Sequence, residues 1–255
     1  MCDTCGCGDN NNIKIYKPDD EHHHHKHNSG VSHHHHHGEY QEREISVEQD
    51  ILSKNNLIAE RNRGYFEALG VFAVNMISSP GSGKTSIIEK TISKIKDEIH
   101  FYIIEGDQQT ANDATRILKA GGTAVQVNTG NGCHLDANMV NYAIKQFEIK
   151  LKSVLIIENV GNLVCPSMFD LGEQQRIVVI SVTEGDDKPE KYPTIFHTSD
   201  ICIINKIDLL PYVDFDIEKV KSVAQKLNPR MLFFEVSAKT GEGMQKWYDW
   251  LKKKS

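Results

Sequence analysis

The sequence predicts an α/β fold with three α/β/α layers built around a mostly parallel central sheet. From Val71 onward, short apolar runs rich in β-branched residues alternate with segments long enough to form helices. Strands that are apolar on both faces and joined by helix-length connections are typical of parallel sheets covered on both sides. The candidate strands are VFAVNMIS, HFYIIEGD, TAVQVN, SVLIIENV, RIVVISV, ICIINKID and MLFFEVS.

Two segments precede this predicted domain, which covers residues 71–255. Residues 1–44 are polar and nearly free of large apolar side chains. Such a segment buries too little surface to offset the entropy cost of ordering, so we predict a disordered tail. From Val47 to Leu69, apolar residues recur at the spacing of one helix face. This pattern predicts an amphipathic helix over residues 45–70 that ends at Gly70.

Composition and charge restrict the class of protein. The chain has 255 residues and a formal net charge of −6, which argues against a nucleic-acid partner because such proteins normally carry a basic excess. No apolar run reaches the roughly 18 residues that a membrane span needs, and the opening residues lack the apolar core of a signal peptide. We therefore expect a cytoplasmic protein in which clustered thiols serve metal or redox chemistry rather than disulfides.

The predicted tail is rich in metal-ligating residues. It opens with MCDTCGCGD, which places Cys2, Cys5 and Cys7 too close together for a useful disulfide framework. Histidine-rich tracts of this kind are typical of metal binding. A cloning tag is the alternative, but the tracts are interrupted and lie between the cysteine cluster and the domain. The histidines are His22, His23, His24, His25, His27, His33, His34, His35, His36 and His37.

A glycine-rich loop directly follows the first candidate strand. The segment SSPGSGKTS, residues 78–86, separates that strand from a predicted helix, which is the context that a phosphate-binding loop requires. Its N–H groups would surround the phosphates, Lys84 would bridge the β- and γ-phosphates, and the Thr85 hydroxyl would ligate Mg²⁺. Ser78 stands where the motif has its first glycine, and a simple turn is the alternative. The predicted nucleotide-binding residues of this P-loop are Gly81, Ser82, Gly83, Lys84, Thr85 and Ser86.

Two later strand ends resemble the guanine-recognition elements of P-loop GTPases, NKxD and SAK. The first is formed by Asn205, Lys206 and Asp208, and the second by Ser237, Ala238 and Lys239. A carboxylate at Asp208 would accept hydrogen bonds from both N1–H and the exocyclic amine of guanine, a donor pair that adenine lacks. The resemblance places Lys206 along the base and Asn205 as an orienting side chain. It also places the Ala238 N–H against the O6 acceptor of the base.

Further residues at strand ends are candidates for cation binding and hydrolysis. Asp107 is placed to hold Mg²⁺ directly or through water. Glu158 and Gly161 occupy the position at which GTPases sense the γ-phosphate. Asp113 is a candidate for positioning the attacking water, and a helix cap is the alternative role for it. Which residue positions the water stays open at this point.

A second metal constellation is predicted within the α/β domain. Cys133, His134 and Cys165 each follow a strand end, and together they offer a partial ligand set for Zn²⁺ or Ni²⁺. Three ligands leave the shell open, so a symmetric dimer could complete or share it. The alternative is that Cys133 and Cys165 are ordinary buried cysteines. That ordinary role is the one we expect for Cys202, which lies within an apolar strand.

Four longer runs resemble the HypB family of hydrogenase nickel-incorporation GTPases, which are SIMIBI-class P-loop proteins. They are CHLDANMV, IENVGNLVCP, SVTEGDDKPEKYP and NKIDLL, and the resemblance extends from about residue 50 to the end of the chain. The opening CDTCGCG is similar to that family's amino-terminal nickel motif, CxxCGC, which implies nickel ligation by Cys2, Cys5 and Cys7. The histidine tract resembles the nickel-storage tract of some members. Ser78 is shared by this family.

The resemblance implies a slow, regulatory GTPase that binds GTP, GDP and Mg²⁺ and acts as a nickel metallochaperone. It further implies a GTP-dependent homodimer, a small zinc-containing accessory protein as partner, and the large subunit of a [NiFe] hydrogenase as client. A urease-type nickel GTPase and a nickel storage or detoxification protein are the alternatives. Whether Cys133, His134 and Cys165 hold Ni²⁺ or Zn²⁺ stays open, as does whether the histidines store or deliver nickel.

Overall fold

The computed structural model describes residues 38–107, 112–130 and 132–255. The tail cysteines Cys2, Cys5 and Cys7 and the whole histidine tract lie outside these ranges, so their predicted roles stay predictions. Nearly all of the predicted α/β domain falls inside them. Its fold can therefore be compared with the sequence expectation strand by strand.

A long helix, α1 (Gly38–Leu69), precedes the sheet. It ends where the sequence predicted, because Gly70 adopts a left-handed φ of 62°. The N–H groups of Gly70 and Val71 then donate to the carbonyls of Glu67 and Phe66, which closes the last helical turn. The predicted start near residue 45 was wrong, since the helix begins at Gly38. Glutamate, glutamine and arginine before Val47 are good helix formers, so propensity carries the helix beyond the apolar pattern.

Every candidate strand is confirmed within the described residues. The strands form one sheet in the order β3-β2-β4-β1-β5-β6-β7 once they are numbered along the chain. All neighbouring pairs in this sheet are parallel. The strands are β1 (Phe72–Ser78), β2 (Phe101–Asp107), β3 (Thr123–Asn128), β4 (Val154–Gly161), β5 (Gln175–Ser181), β6 (Ile201–Asn205) and β7 (Leu232–Glu235).

Parallel pairing requires crossover connections, and these contain α-helices between all consecutive strands except β4 and β5, which are connected through a 3-10 turn. Short 3-10 turns cover Cys165–Met168 and Ile207–Tyr212. In the part of the chain that the structure describes, no helix is both long enough and apolar enough to cross a membrane. The remaining helices are α2 (Lys84–Ile95), α3 (Asn112–Ala120), α4 (Ala137–Ile144), α5 (Lys188–Lys191), α6 (Pro193–Thr198), α7 (Ile217–Leu227) and α8 (Met244–Lys254).

The hydrophobic core lies on both sides of the sheet. On one side, α2, α3 and α8 cover the central strands, and Ile88, Ile117 and Trp247 are buried there. On the other side, α1 and α4 cover β2 and β4 with the buried side chains of Phe66 and Val140. Helices α6 and α7 extend that second layer over β5 and β6. The three-layer α/β/α prediction is therefore confirmed.

Cys202 is one of the buried residues of β6. Burial raises the pKa of its thiol, because the charged thiolate is poorly solvated there. The thiol therefore stays protonated and packs as a small apolar side chain. This confirms the expected role of Cys202 as an ordinary core residue.

The strand order determines where a ligand can bind. β1 lies in the middle of the sheet, between β4 and β5, and the chain leaves it to form β2 on the far side of β4. Open parallel sheets bind ligands in the crevice beyond the carboxyl ends of their strands. Ser78, Asp107, Gly161 and Asn205 end four of these strands, so the predicted site residues converge at one edge.

Candidate functional site

The loop between β1 and α2 depends on glycine for its shape. Gly81 and Gly83 adopt left-handed φ angles of 74° and 96°, which side chains other than glycine rarely tolerate. A Cβ atom added to Gly83 would lie 2.4 Å from Asn205 Nδ2. That amide donates to the Ser82 carbonyl at 2.8 Å. Glycine at position 83 therefore lets the NKxD strand end approach the P-loop.

Lys84 is held in place by Ser78. Its Nζ donates to Ser78 Oγ at 2.8 Å, and that hydroxyl donates in turn to the Ser79 carbonyl at 2.7 Å. Lys84 is buried, and burial lowers its pKa while Glu158 opposes that effect. Ser78, the residue that departs from the general motif, thus orients the ammonium group of Lys84. An ammonium buried at this point is suited to a polyphosphate.

Two buried carboxylates lie beside the P-loop on neighbouring strands. Glu105 of β2 and Glu158 of β4 are in register. Thr85 Oγ1 donates to Glu158 Oε1 at 2.7 Å, whereas Oε2 of each glutamate has no hydrogen-bond partner among the described residues. Burial, followed by the charges of Glu158, Asp113 and Asp107, raises the pKa of Glu105 to about 8. Burial also raises the pKa of Glu158, which Lys84 opposes.

The sequence pattern did not identify Glu105 as a site residue, because the apolar run around it predicts only a strand. The signal was present. Glu105 precedes Asp107 by two positions, so both side chains leave the same face of β2. A glutamate inside a buried strand is unusual unless it serves a ligand or a partner. Its unpaired oxygen points to such a role.

The residues around this pair suit a divalent cation. The Thr85 hydroxyl, Glu105, Asp107 and Glu158 line one cavity of about 590 Å³ together with the P-loop. Hydroxyl and carboxylate oxygens are the ligands that Mg²⁺ prefers. The orphaned oxygens of Glu105 and Glu158 would gain a partner from such an ion. The donor set therefore fits Mg²⁺, with Asp107 half-buried at the mouth of the cavity.

Asp113 and Gly161 reach the same cavity. Asp113 is paired with Arg116, whose Nη1 lies 3.0 Å from the carboxylate, so its charge is already engaged. Arg116 also donates to Ser86 at 3.2 Å, and sequence reasoning did not identify this arginine. A Cβ atom on Gly161 would lie 3.1 Å from Pro80 Cα, which places the predicted γ-phosphate sensor directly against the P-loop.

The guanine-recognition residues meet beside the P-loop. Asn205 Oδ1 accepts from the Ala238 N–H at 3.2 Å, and Lys206 Nζ donates to the Gly81 carbonyl at 2.7 Å. Ser237 Oγ donates to Asp208 Oδ1 at 2.5 Å. These contacts join the NKxD and SAK elements to each other and to the phosphate loop. Asn205, Lys206, Asp208, Ala238 and Lys239 line a cavity of about 570 Å³ that also reaches Gly83 and Ser86.

The predicted metal ligands of the α/β domain converge as well. One ligand atom from each of Cys133, His134 and Cys165 lies within 4.8 Å of the others. His134 is buried and stacks on Phe169 with ring centroids 4.0 Å apart. Burial lowers the pKa of His134, which favours the neutral imidazole that ligates metals. Two thiols and one imidazole suit Ni²⁺ or Zn²⁺.

A short segment joins the metal cluster to the nucleotide cavity. Directly after Glu158, Asn159 Oδ1 accepts from the Leu135 N–H at 3.1 Å. Asn162 Nδ2 donates to the Cys133 carbonyl at 3.4 Å. Cys165 follows on the same stretch of chain. Glu158, which contacts the P-loop, the two asparagines that contact the Cys133–His134 loop, and the predicted ligand Cys165 are therefore parts of one continuous segment.

The fold and this site define a P-loop nucleotide-binding protein. The family model described as "CobW/HypB/UreG, nucleotide-binding domain" matches residues 72–235. A "Hydrogenase maturation factor HypB" from Rhizobium leguminosarum bv. viciae is 56% identical over 214 residues, 84% of this chain and 72% of the relative. The chain belongs to the CobW/HypB/UreG family, and within it to the HypB hydrogenase maturation factors.

Two solved structures agree with this assignment. HypB from Archaeoglobus fulgidus is 44% identical with a TM-score of 0.74, covering 79% of this chain and 98% of that one. HypB from Helicobacter pylori, solved in complex with nickel, is 40% identical with a TM-score of 0.75, covering 79% of this chain and 94% of that one. The predicted family and the predicted P-loop fold are thus both confirmed.

Gly83→Ala should destabilise the nucleotide-free protein more than Gly81→Ala. Both alanines would have to adopt a left-handed φ, at a cost of about 1 to 2 kcal/mol each. The Gly83 variant also displaces the Asn205 amide, whereas no heavy atom lies within 4 Å of the added carbon at Gly81. We expect a further loss of about 1 kcal/mol for Gly83→Ala in urea unfolding. Equal losses in the free energy of unfolding for the Gly83 and Gly81 variants would show that the Asn205 contact does not constrain the loop.

Glu105→Gln should make the stability of the nucleotide-free protein less dependent on pH. The pKa of Glu105 is raised from 4.5 to about 8 on folding, so the folded state holds more protons than the unfolded state between these values. The free energy of unfolding should therefore fall as pH rises through this window. We expect the variant to match the parent near about pH 5 and exceed it by roughly 1 kcal/mol or more near about pH 9.

The matched control for this experiment is Glu242→Gln, which changes an exposed carboxylate. Urea unfolding at both pH values gives the measurement. If the free energy of unfolding changes with pH in Glu105→Gln as it does in the parent and in Glu242→Gln, Glu105 is ionised in the folded protein, and the raised pKa is wrong.

Proposed function

We propose that this protein is a GTP-hydrolysing nickel metallochaperone that helps to insert Ni²⁺ into the large subunit of a [NiFe] hydrogenase. The observation that carries the proposal is the continuous segment from Glu158 to Cys165. It contacts the P-loop threonine at one end and supplies a metal ligand at the other. A nucleotide-dependent change in this segment would therefore alter the metal site directly. Membership of the HypB family and the nickel complex of the Helicobacter pylori relative support the same proposal.

The nucleotide half of the proposal assigns GTP to the two adjoining cavities. The guanine base would lie against Asp208 and Ala238, and the phosphates would lie over the loop from Gly81 to Ser86. Lys84 would neutralise the β- and γ-phosphates. Thr85 and Asp107, together with Glu158, would hold Mg²⁺, which supplies further neutralisation of the phosphate charge.

Hydrolysis requires a positioned water on the far side of the γ-phosphate. Asp113 and Glu158 line the phosphate-loop cavity and are the candidates to position this water, and Gly161 lets the segment lie close to the P-loop. Asp113 would first have to leave its ion pair with Arg116. Such a rearrangement fits a slow, regulatory turnover in which loss of the γ-phosphate resets the segment. Turnover as a timing step is part of the proposal.

The metal half assigns Ni²⁺, as cargo, to Cys133, His134 and Cys165, with Zn²⁺ as the competing ion. Three ligands leave room for a donor from a second copy, so a GTP-dependent homodimer is part of the proposal. Cys2, Cys5 and Cys7 would form the capture site, and the histidine tract would hold a weaker nickel reserve. The proposed partners are a small zinc-containing accessory protein and the hydrogenase large subunit, all in the cytoplasm.

Asp208→Asn should shift the base preference of the protein from guanine towards xanthine. The amide loses the charged acceptor for the N1–H and amine of guanine, so GTP affinity should fall roughly tenfold to a hundredfold. It gains a donor that matches the C2 carbonyl of xanthine, so binding of xanthosine triphosphate should improve. Fluorescent nucleotide titration gives both affinities. The control is Asp214→Asn, which changes an exposed aspartate beyond the 3-10 turn. An equal loss of affinity for GTP and for xanthosine triphosphate in Asp208→Asn would count against base recognition by Asp208.

The central experiment titrates Ni²⁺ into the full chain after Cys2, Cys5 and Cys7 have been changed to Ala. Thiolate ligation of nickel then reports on the cluster in the α/β domain. We expect the nickel affinity to differ between GDP and a non-hydrolysable GTP analogue, because the segment from Glu158 to Cys165 responds to the γ-phosphate. Adding Lys84→Ala to the same chain should abolish that difference. Identical affinities in both nucleotide states would contradict the proposal and favour nickel storage.

A further inference from the structure

Helix α1 is attached to both of the segments that carry the domain's metal ligands. Asn55 Oδ1 accepts from the Ala137 N–H at 2.9 Å, and Ala137 begins α4, shortly after Cys133 and His134. Asn55 Nδ2 donates to the Asp170 carbonyl at 2.7 Å, shortly after Cys165. One side chain thus bridges the two halves of the metal site.

Asn62, two turns further along the same face, repeats this bridge. Its Nδ2 donates to the Ala137 carbonyl at 2.8 Å and to the Leu171 carbonyl at 3.1 Å. Its Oδ1 accepts from Asn141 Nδ2 at 2.8 Å, so the amide is engaged at both ends. Asn62 is fully buried and Asn55 nearly so. The two asparagines therefore hold α4 and the segment after Cys165 from within the protein.

The backbone approach between α1 and that segment is also close. Gly172 has a φ of 92°, and a Cβ atom there would lie 2.6 Å from the Ala59 carbonyl. Arg63 adds a salt bridge to Asp170 at 2.5 Å and a hydrogen bond to the Glu173 carbonyl at 2.6 Å. The chain between Cys165 and Glu173 is thus fixed against the helix at several points.

These contacts constrain the separation of the metal ligands. A buried amide that loses one partner retains the full cost of its desolvation, so breaking a single one of these bonds is unfavourable. Moving the Cys133–His134 loop away from the Cys165 turn would break bonds at Asn55 and Asn62 together. Phe169, which lies between Cys165 and Asp170, stacks on His134 and so transmits the same constraint to the imidazole.

We propose that α1 is the positioning element of the domain's nickel site, and that Asn55 and Asn62 set the spacing between Cys133, His134 and Cys165. Residues that orient metal ligands without touching the ion typically change metal affinity about 10- to 100-fold when they are removed. The identity of the ion rests on the proposed function. The positioning role is additional to it, because α1 contributes no ligand to the described cluster.

The test compares nickel affinity in full chains in which Cys2, Cys5 and Cys7 are already Ala. Asn55→Ala should weaken nickel binding about tenfold, measured by thiolate-to-nickel charge-transfer absorption in competition with a chelator. The affinity for GDP should not change, since the described hydrogen bonds of Asn55 go to Ala137 and Asp170, which lie outside the P-loop. The charge-transfer bands should also shift, because the ligand geometry relaxes.

Asn228→Ala is the matched control. Its Nδ2 donates to the Ser199 carbonyl at 2.8 Å and its Oδ1 accepts from the Arg230 N–H at 3.1 Å, far along the chain from the metal ligands. This variant loses two hydrogen bonds of the same kind, so we expect a loss of stability with no change in nickel affinity. Equal nickel affinities for Asn55→Ala, Asn228→Ala and the parent would overturn the inference.

Asn55→Asp is the conservative variant and serves if Asn55→Ala does not fold. It keeps the acceptor for the Ala137 N–H but loses the donor to Asp170, so nickel affinity should lie between those of the parent and the alanine variant. Parental affinity in a folded Asn55→Asp chain would overturn the bridge between the two segments. A parent that binds no nickel at this site would instead overturn the proposed function, a result that is distinct from unchanged affinity in the variants.

Discussion

The buried hydrogen bond from Thr85 to Glu158 is the contact on which the rest of the site depends. It ties the first turn of α2 to the end of β4, and so connects the phosphate loop to the strand that continues into the metal loop. Without it, neither oxygen of the buried Glu158 carboxylate would be hydrogen-bonded to a described residue. Because β4 lines the phosphate-loop cavity and the chain after it continues to Cys165, this cavity and the Cys133–His134–Cys165 cluster are joined by the backbone itself rather than by a distant relay.

Buried carboxylates outnumber buried ammonium groups around that contact. Glu105 and Glu158 lie side by side on neighbouring strands, and Lys84 is the buried cation among them. Burial raises the pKa of Glu105, because the charged carboxylate is poorly solvated there. Repulsion from the neighbouring Glu158 carboxylate raises it further. A divalent ion would supply a partner for the two carboxylates, and a polyphosphate would pair with the Lys84 ammonium. The arrangement of these charges therefore suits a polyphosphate that is bound together with a divalent ion.

The sequence predicted the sheet well, because each strand is a short apolar run flanked by turn residues and the motifs fall at strand ends. It predicted the clustering of Cys133, His134 and Cys165 through the same reasoning. It missed Glu105, which lies inside an apolar strand, and it missed the bridging roles of Asn55 and Asn62. Those asparagines appear as ordinary polar residues of an amphipathic helix. Their partners lie more than seventy positions away, and periodicity carries no information about such contacts.

Ser78 has a consequence for how such chains are recognised. The general P-loop pattern asks for glycine at this position, yet here the hydroxyl accepts from Lys84 at 2.8 Å and fixes the orientation of the ammonium. A search that requires the glycine would pass over this protein, although its loop presents a buried lysine at the start of α2. Replacing Ser78 by glycine would bring the sequence closer to the general pattern but would remove the hydroxyl that accepts from Lys84.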